Sequence, residues 1–249
     1  MAETIQSVER AAAILRLLAA GRRQLGVVEL ARAMGLPKGT LHGILRTLVH
    51  VGFVEQDGKT GKYRLGGTLL HLGSSYLDVN ELRTRSLNWA DALAGRSGES
   101  VWIGTLHEGQ VLVVHHVFRP DDSMQALQVG ALLPVHATAL GKALLAFDPY
   151  GVPVPDPLER LTGRTLVTAG DLEEDLERVR RRGWAADLEE FVEGEVSMAA
   201  PIRGGQGVTV GAIGIRGAVE RLVLDGEPRM DLLSYVRDAA RAITHDLDR

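Results

Sequence analysis

A chain of 249 residues, 45% hydrophobic and 24% charged, has the apolar matter for a core and no long biased segment to keep it unfolded. Without cysteine it can build no disulfide, thiolate zinc site or iron–sulfur ligation, and it lacks a cysteine nucleophile. Its net charge of −4 hides an asymmetry, because residues 1–66 carry ten Lys and Arg against five Asp and Glu, or +5, and the remainder is −9. Such a change of sign hints at a nucleic-acid-binding module joined to something else. Arg16 and Glu29 interrupt the nearest candidates for a leader peptide, and no run approaches the roughly 18 uncharged apolar residues that span a bilayer. A cytoplasmic protein without a membrane partner is expected.

Ser7 is placed to cap a first helix whose apolar positions Val8, Ala11, Ala12, Leu15 and Leu18 keep the helical period, and Gly21 offers its stop. Val27, Leu30, Ala31 and Met34 repeat the stripe in a short second helix that Gly35 ends. Pro37 suits the first turn of a third helix, whose inward face is Leu41, Ile44, Leu45 and Leu48. Two short helices about a glycine turn make a helix-turn-helix. Phe53-Val54-Glu55-Gln56 and Lys62-Tyr63-Arg64-Leu65 are β-prone runs around Asp57-Gly58-Lys59-Thr60-Gly61, the composition of a hairpin. The whole reads as a winged helix-turn-helix over residues 1–66. Lys38, Thr40, His42 and Arg46 lie off the apolar stripe of the third helix, where they can meet base edges or phosphates of duplex DNA. Lys59, Lys62 and Arg64 on the hairpin can hold the backbone alongside. Gly39 and Gly43 each cost that helix about 1 kcal/mol relative to alanine, and they allow closer backbone approach to phosphates.

Gly66-Gly67 punctuates the chain, and Leu69, Leu70, Leu72, Tyr76 and Leu77 continue at helical spacing toward Asp78, predicting a connecting helix within residues 67–80. In the second domain, 81–249, a helix from Leu82 to Gly95 precedes strands Val101–Leu106 and Gln110–His115 around a His-Glu-Gly turn. Another helix begins near Ala139, and Pro149, Pro153, Pro155 and Pro157 then predict an exposed irregular loop. Asp171 to Arg182 reads as a surface helix with acids early and arginines late, matching its dipole, and Gly183 stops it. A strand from Val208 to Ile215 and an amphipathic helix from Pro228 to Leu247 close the domain. The fold class is α+β. In Thr209–Arg216, alternation puts Val210, Ala212, Gly214 and Arg216 on one face; Ala212 and Gly214 leave room there, and Arg216 sets a forked cation at its end. That cation either meets a ligand's carboxylate or phosphate, or pairs with an acid such as Asp187 or Glu189.

Other chemistries find less support. Ser197, His136 and Asp187 could be imagined as a hydrolytic triad, yet no Gly-x-Ser-x-Gly elbow presents a serine, and Gly73-Ser74-Ser75 lacks the pattern. Gly141-Lys142 has His136 where a phosphate loop needs its first glycine, and Ala143 where it needs Ser or Thr. Gly205-Gln206-Gly207 lacks the rest of a dinucleotide fingerprint, and His107, His115, His116 and His136 show no diagnostic metal spacing. A protein that is not an enzyme and uses neither cofactor nor metal is expected.

Gln6-Ser7-Val8-Glu9-Arg10-Ala11, then Leu36-Pro37-Lys38-Gly39-Thr40-Leu41-His42, then Gly52-Phe53-Val54-Glu55-Gln56-Asp57 resemble the N-terminal domain of IclR-type transcriptional regulators. Leu133 to Ala143, Arg182-Gly183-Trp184-Ala185 and Ala199-Ala200-Pro201-Ile202 are similar to blocks of that family's effector domain. His115 to Ser123 and Gly183 to Glu190 resemble one branch of it, the regulators of glycerol operons. The resemblance implies a GAF-like effector domain built on a six-stranded antiparallel sheet, a connecting helix that pairs the N-terminal domains, and a homodimer or tetramer on a pseudo-palindromic operator. It implies an effector held by backbone groups of Ala139 and Leu140 and by Asp187, Ser197, Gly214 and Arg216, and a repressor is expected, with an activator or a sensor of another small acid as the alternative. Family members commonly carry Ser and Arg at the positions of Gly39 and Gly43, which implies fewer direct base contacts here. Relatives often carry Cys at the position of Ser197 and Ser at the last two effector positions, so a 2-oxo acid transfers poorly. A hydroxylated, anionic ligand fits better, glycerol 3-phosphate or glycerol itself, with Asp187 and Ser197 on hydroxyls and Arg216 on charge.

Overall fold

Three apolar stripes meet at the front of the chain. In the computed structural model, which describes residues 5–20, 24–79, 81–121, 123–149 and 151–249, with 74–79 and 206 as backbone alone, two compact units form, 1–79 and 80–249. In the first unit α1 (Gln6–Ala20), α2 (Val27–Met34) and α3 (Lys38–His50) bury Ile14, Leu18, Leu30, Leu41, Leu45 and Leu48 in one cluster. Burying each such side chain stabilises the unit by about 1.5–3 kcal/mol before chain entropy is counted. Ser7 does not cap α1. The carbonyl of Ile5 accepts from the amides of Val8 and Glu9 at 2.9 and 3.2 Å, so the helix starts at Gln6, two residues earlier than a cap at Ser7 would set it, and Ser7 sits in its first turn. Val8 faces outward, 63% exposed, and Ile14 takes the central buried place. Gly35 ends α2 in the left-handed conformation, φ 62°, and Pro37 occupies the position before α3, its carbonyl accepting from Leu41 at 3.1 Å.

Strands β1 (Val54–Gln56) and β2 (Tyr63–Leu65) pair antiparallel as the wing. Asp57 Oδ1 shapes the turn by accepting from the amides of Lys59 and Thr60 at 2.9 and 2.7 Å, which holds its carboxyl below the usual range. Leu25 exchanges backbone hydrogen bonds with Tyr63 at 2.9 and 2.8 Å, fastening the wing to the segment before α2. Helix α4 (Gly67–Val79) follows and leaves Leu70 and Leu72 exposed. The stop expected at Gly21, the resemblance at Asp122, and the side chains of Tyr76, Leu77 and Asp78 lie outside the described residues.

The second unit is a six-stranded sheet in the order β5-β4-β3-β8-β7-β6, antiparallel throughout. Its strands are β3 (Ser100–His107), β4 (Gln110–Val117), β5 (Leu132–Pro134), β6 (Ala185–Leu188), β7 (Glu195–Arg203) and β8 (Thr209–Ala218). Alternation sends Trp102, Val111, Val113, Ala185, Ala199 and Ala212 to the face covered by α6 (Ala139–Ala146) and α7 (Ala169–Arg182). Ile103, Met198, Ile202, Ile213 and Ile215 are buried on the other face, where α5 (Glu81–Ser97) and α9 (Met230–Leu247) pack. The short α8 (Val219–Leu222) and the ribbon of β9 (Val223–Leu224) with β10 (Glu227–Pro228) lead from the sheet to α9. All eight residues of α6 are buried, and a Cβ at Gly141 would fall 2.2 Å from the Val135 carbonyl oxygen, so only glycine lets the helix settle that deeply. The proline-rich segment is irregular but not simply exposed. Leu158 is buried, Val152 and Val154 pack on the core, and Thr162 and Thr165 each donate a hydroxyl at 2.7 Å, to the carbonyls of Glu189 and Glu190 respectively.

Candidate functional site

On the first unit the five residues singled out on α3, Lys38, Gly39, Thr40, His42 and Arg46, are all exposed, as are Lys59 and Lys62 at the hairpin tip. Between α3 and the wing runs a groove of about 550 Å³ lined by Gly39, His42, Gly43, Arg46, Gln56 and Tyr63, among others. No atom lies within 4 Å of where a Cβ would stand at Gly39 or Gly43, so packing does not demand glycine at either place. Arg64 is exposed but engaged. Its register partner Glu55 accepts from Nε and Nη2 at 3.0 and 2.8 Å, and that contact holds the Glu55 carboxyl below its ordinary value. A phosphate reaching Arg64 must exchange with Glu55.

On the second unit the six effector candidates, Ala139, Leu140, Asp187, Ser197, Gly214 and Arg216, line one small cavity with Trp102, Leu133, Thr138 and Phe191. Thr138 caps α6 by accepting from the Gly141 amide at 3.1 Å, which aims the start of the helix at this cavity. The Ala139 amide donates to Ser197 Oγ at 3.4 Å, and Ser197 donates to Asp187 Oδ2 at 3.0 Å. Asp187 Oδ1 accepts from the amides of Glu190 and Phe191 at 2.7 and 3.3 Å. Burial pushes the Asp187 carboxyl up despite these donors. The room foreseen at Ala212 does not exist, because that residue packs wholly inside the core. Gly214 does line the cavity, and a Cβ there would meet the Met198 carbonyl oxygen at 2.5 Å, so glycine also serves the close approach of β7 and β8.

Arg216 pairs with neither Asp187 nor Glu189. Its guanidinium holds Glu195, with Nε donating to Oε2 at 2.5 Å, and lies 5.0 and 4.9 Å from the ring centres of Trp102 and Phe191. Strand register explains the partner: Ser197 faces Arg216 across the ladder, which makes Glu195 the diagonal neighbour two residues on. The inner cavity measures about 20 Å³, room for about one water. Beyond Trp102, Leu133, Phe191 and Arg216, which line both spaces, opens a cleft of about 570 Å³. His116 stands in its wall, accepting from the Gln128 amide at 3.3 Å and meeting Trp102 and Phe118 edge-on.

Behind Asp187 lies a cluster that sequence reasoning missed. Lys142 Nζ, 1% exposed, donates to Glu190 Oε1 at 2.6 Å and meets Asp175 Oδ2 at 2.9 Å. Burial raises the Glu190 carboxyl, whereas for Asp175 the pull of Lys142, Arg178 and Arg182 outweighs burial and lowers it. A lone lysine inside the apolar run Ala-Leu-Gly-Lys-Ala-Leu-Leu-Ala was the available signal, since such a lysine needs buried acids. The imagined triad is not assembled: Ser197 donates straight to Asp187, and His136 Nε2 meets the carbonyl of Glu159 at 2.9 Å. Among the described residues no group of three or more His, Asp or Glu could hold a metal ion, and no helix is long and apolar enough to cross a membrane.

An exposed basic helix on one unit and a lined cavity in the other meet their counterparts in known proteins. The IclR helix-turn-helix domain matches residues 7–58, and the bacterial transcriptional regulator IclR C-terminal domain matches residues 74–245. The chain belongs to the IclR family of bacterial transcriptional regulators. It is 55% identical over 249 residues to the glycerol operon regulatory proteins of Streptomyces coelicolor and Streptomyces griseus, covering 99% of this chain and 98% of each relative. Among solved structures it resembles a regulator from Rhodococcus sp. RHA1, with TM-score 0.80, 29% identity and 98% of both chains covered. As an IclR regulator it combines a DNA-binding helix-turn-helix with an effector-binding C-terminal domain.

Proposed function

We propose that this IclR regulator is a one-component repressor of a glycerol catabolism operon, released by glycerol 3-phosphate or glycerol. The observation that carries the reading is the 55% identity, over nearly the whole length of both chains, to two glycerol operon regulatory proteins. Residues 1–66 grip the operator, 67–80 connect, and 81–249 bind the effector. Lys38, Gly39, Thr40, His42 and Arg46 face the major groove, and Lys59, Lys62 and Arg64 hold the backbone. Because a palindrome needs two recognition helices, the working species is a homodimer or tetramer, with exposed Leu70 and Leu72 of α4 at the pairing face. The protein acts in the cytoplasm, on the chromosome, and catalyses no reaction.

The hydroxyl end of the effector sits against Ala139, Leu140, Asp187 and Ser197, and its anionic end reaches the Arg216 fork. The inner cavity holds about one water, so a three-carbon ligand extends past Arg216 into the cleft. Ligand favours one arrangement of the paired domains and shifts operator affinity by its differential affinity for the two states. Arg216→Ala tests the assignment: glycerol 3-phosphate should lose its effect on an operator complex that forms as in the wild type. Unchanged release by that ligand would remove Arg216 from the site.

A further inference from the structure

The outer cleft is lined by three arginines, and each already has a carboxylate: Arg119 holds Asp121, Arg221 holds Glu99 and Arg216 holds Glu195. Of the three, only Arg216 also lines the inner cavity. The pairs differ in how firmly the acid is seated. Glu99 is 3% exposed and accepts from Arg221 Nε and Nη2 at 2.5 and 2.9 Å. It occupies the space left by Gly217, where a Cβ would fall 2.3 Å from its Oε2. The Glu195 side chain is 44% exposed, whereas that of Arg216 is 17% exposed and flanked by Trp102 and Phe191. A guanidinium so covered needs an anion beside it at all times. The anion it has is half in water and returns there at small cost.

We infer that Glu195 is the resident counter-ion of Arg216 and holds the place that a ligand's anionic group takes. Anion binding is then an exchange: the carboxylate of Glu195 swings out to solvent as the ligand's oxygens take over the fork. The inference rests on the reading of this cavity as the effector site and adds to it a residue that sets ligand preference. A neutral polyol leaves the pair intact and gains nothing from Arg216. An anion must outbid a carboxylate already in place. A phosphate monoester, with nearly two charges and three acceptor oxygens, does so better than a monocarboxylate.

The test is calorimetric titration of the full-length protein and its Glu195→Gln variant with glycerol 3-phosphate, glycerate and glycerol. Removing the internal competitor should tighten both anions about tenfold and leave glycerol unchanged. In an Arg216→Gln background the same substitution should change no affinity, because no fork remains to compete for. That coupling separates competition from a general structural role. Should Glu195→Gln fail to fold, Glu195→Asp, too short to keep the clamp, should tighten the anions in the same direction. If the wild type binds glycerol 3-phosphate and the variant binds it no tighter, the exchange is wrong and the effector site stands. If neither protein binds any of the three probes, the effector-site reading falls and the exchange with it.

Discussion

The two units carry their chemistry in opposite ways. The front unit shows its cations to solvent: Lys38, His42, Arg46, Lys59 and Lys62 are exposed, and residues 1–66 are +5. In and behind its cavity the rear unit pairs its charges before any ligand arrives, Lys142 with Glu190 and Asp175 in the interior, and Arg216 with the half-exposed Glu195. The first arrangement suits a polyanion, whose counterions leave as solvated cations approach. The second suits a small molecule, because where a pocket's charges are already matched an anion enters only by replacing one partner.

Breaking the hidden pairing should give the largest effect. Lys142→Met leaves two carboxylates facing each other in the interior and should destabilise the rear unit by about 3–5 kcal/mol, read from urea unfolding. A loss below about 1 kcal/mol would mean the cluster behaves as a surface pair. On the exposed side the effect should be smaller and confined to DNA. Thr40→Ala and Lys38→Ala should each weaken operator binding by about 1–3 kcal/mol where they meet bases, with stability unchanged. For a phosphate contact the loss should be uniform across sequences, with a shallower salt dependence.

Smaller again is the gain from Gly39→Ala or Gly43→Ala. The added methyl meets nothing within 4 Å, so each should stabilise the front unit by about 1 kcal/mol. A destabilised variant would show that the helix needs glycine for a reason other than DNA approach. Acidification should have the mildest effect. Burial holds His115 and His116 below their ordinary value of 6.5, so they stay neutral in the fold while the unfolded chain takes up protons. The stability they confer is present above pH 6.5 and lost as the pH falls toward their folded values. Protonating His116 Nδ1 also breaks its bond to the Gln128 amide. The raised carboxyls of Asp187 and Glu190 act with the opposite sign, losing stability as pH rises through their folded values. The histidine share is therefore the difference in melting-temperature slope between the wild type and a His115→Gln/His116→Gln variant. Equal slopes would remove it.

The same contrast explains what was legible in the sequence. Helical period and glycine punctuation yielded α2, α3, the wing and the exposed cations, because these depend on neighbours a few residues away. The long strands β3, β4 and β8 and the helices α5, α7 and α9 were legible for the same reason. β5, β6 and β7 were not read from local pattern; β5 and β6 are three and four residues long and are defined by pairing with β4 and β7. Ser7 misled because a hydroxyl near a helix start suggests a cap, whereas the helix extended two residues further back. In the cavity, Gly214 and Arg216 were legible from strand alternation, and the other four candidates came from family resemblance. What completes the site depends on register and long-range packing: Glu195 reaches Arg216 from 21 residues away, and Glu190 meets Lys142 across 48.

The central claim is that the exposed front unit reads one DNA sequence and the paired charges of the rear unit answer to a small anion. The most direct measurement is fluorescence anisotropy of the full-length protein on a labelled duplex from its own upstream region, against a random duplex of equal length, with and without glycerol 3-phosphate. The account predicts tighter binding to the cognate duplex, steep weakening with salt, and release by the ligand. Equal affinity for both duplexes, or a cognate complex indifferent to the ligand, would contradict it.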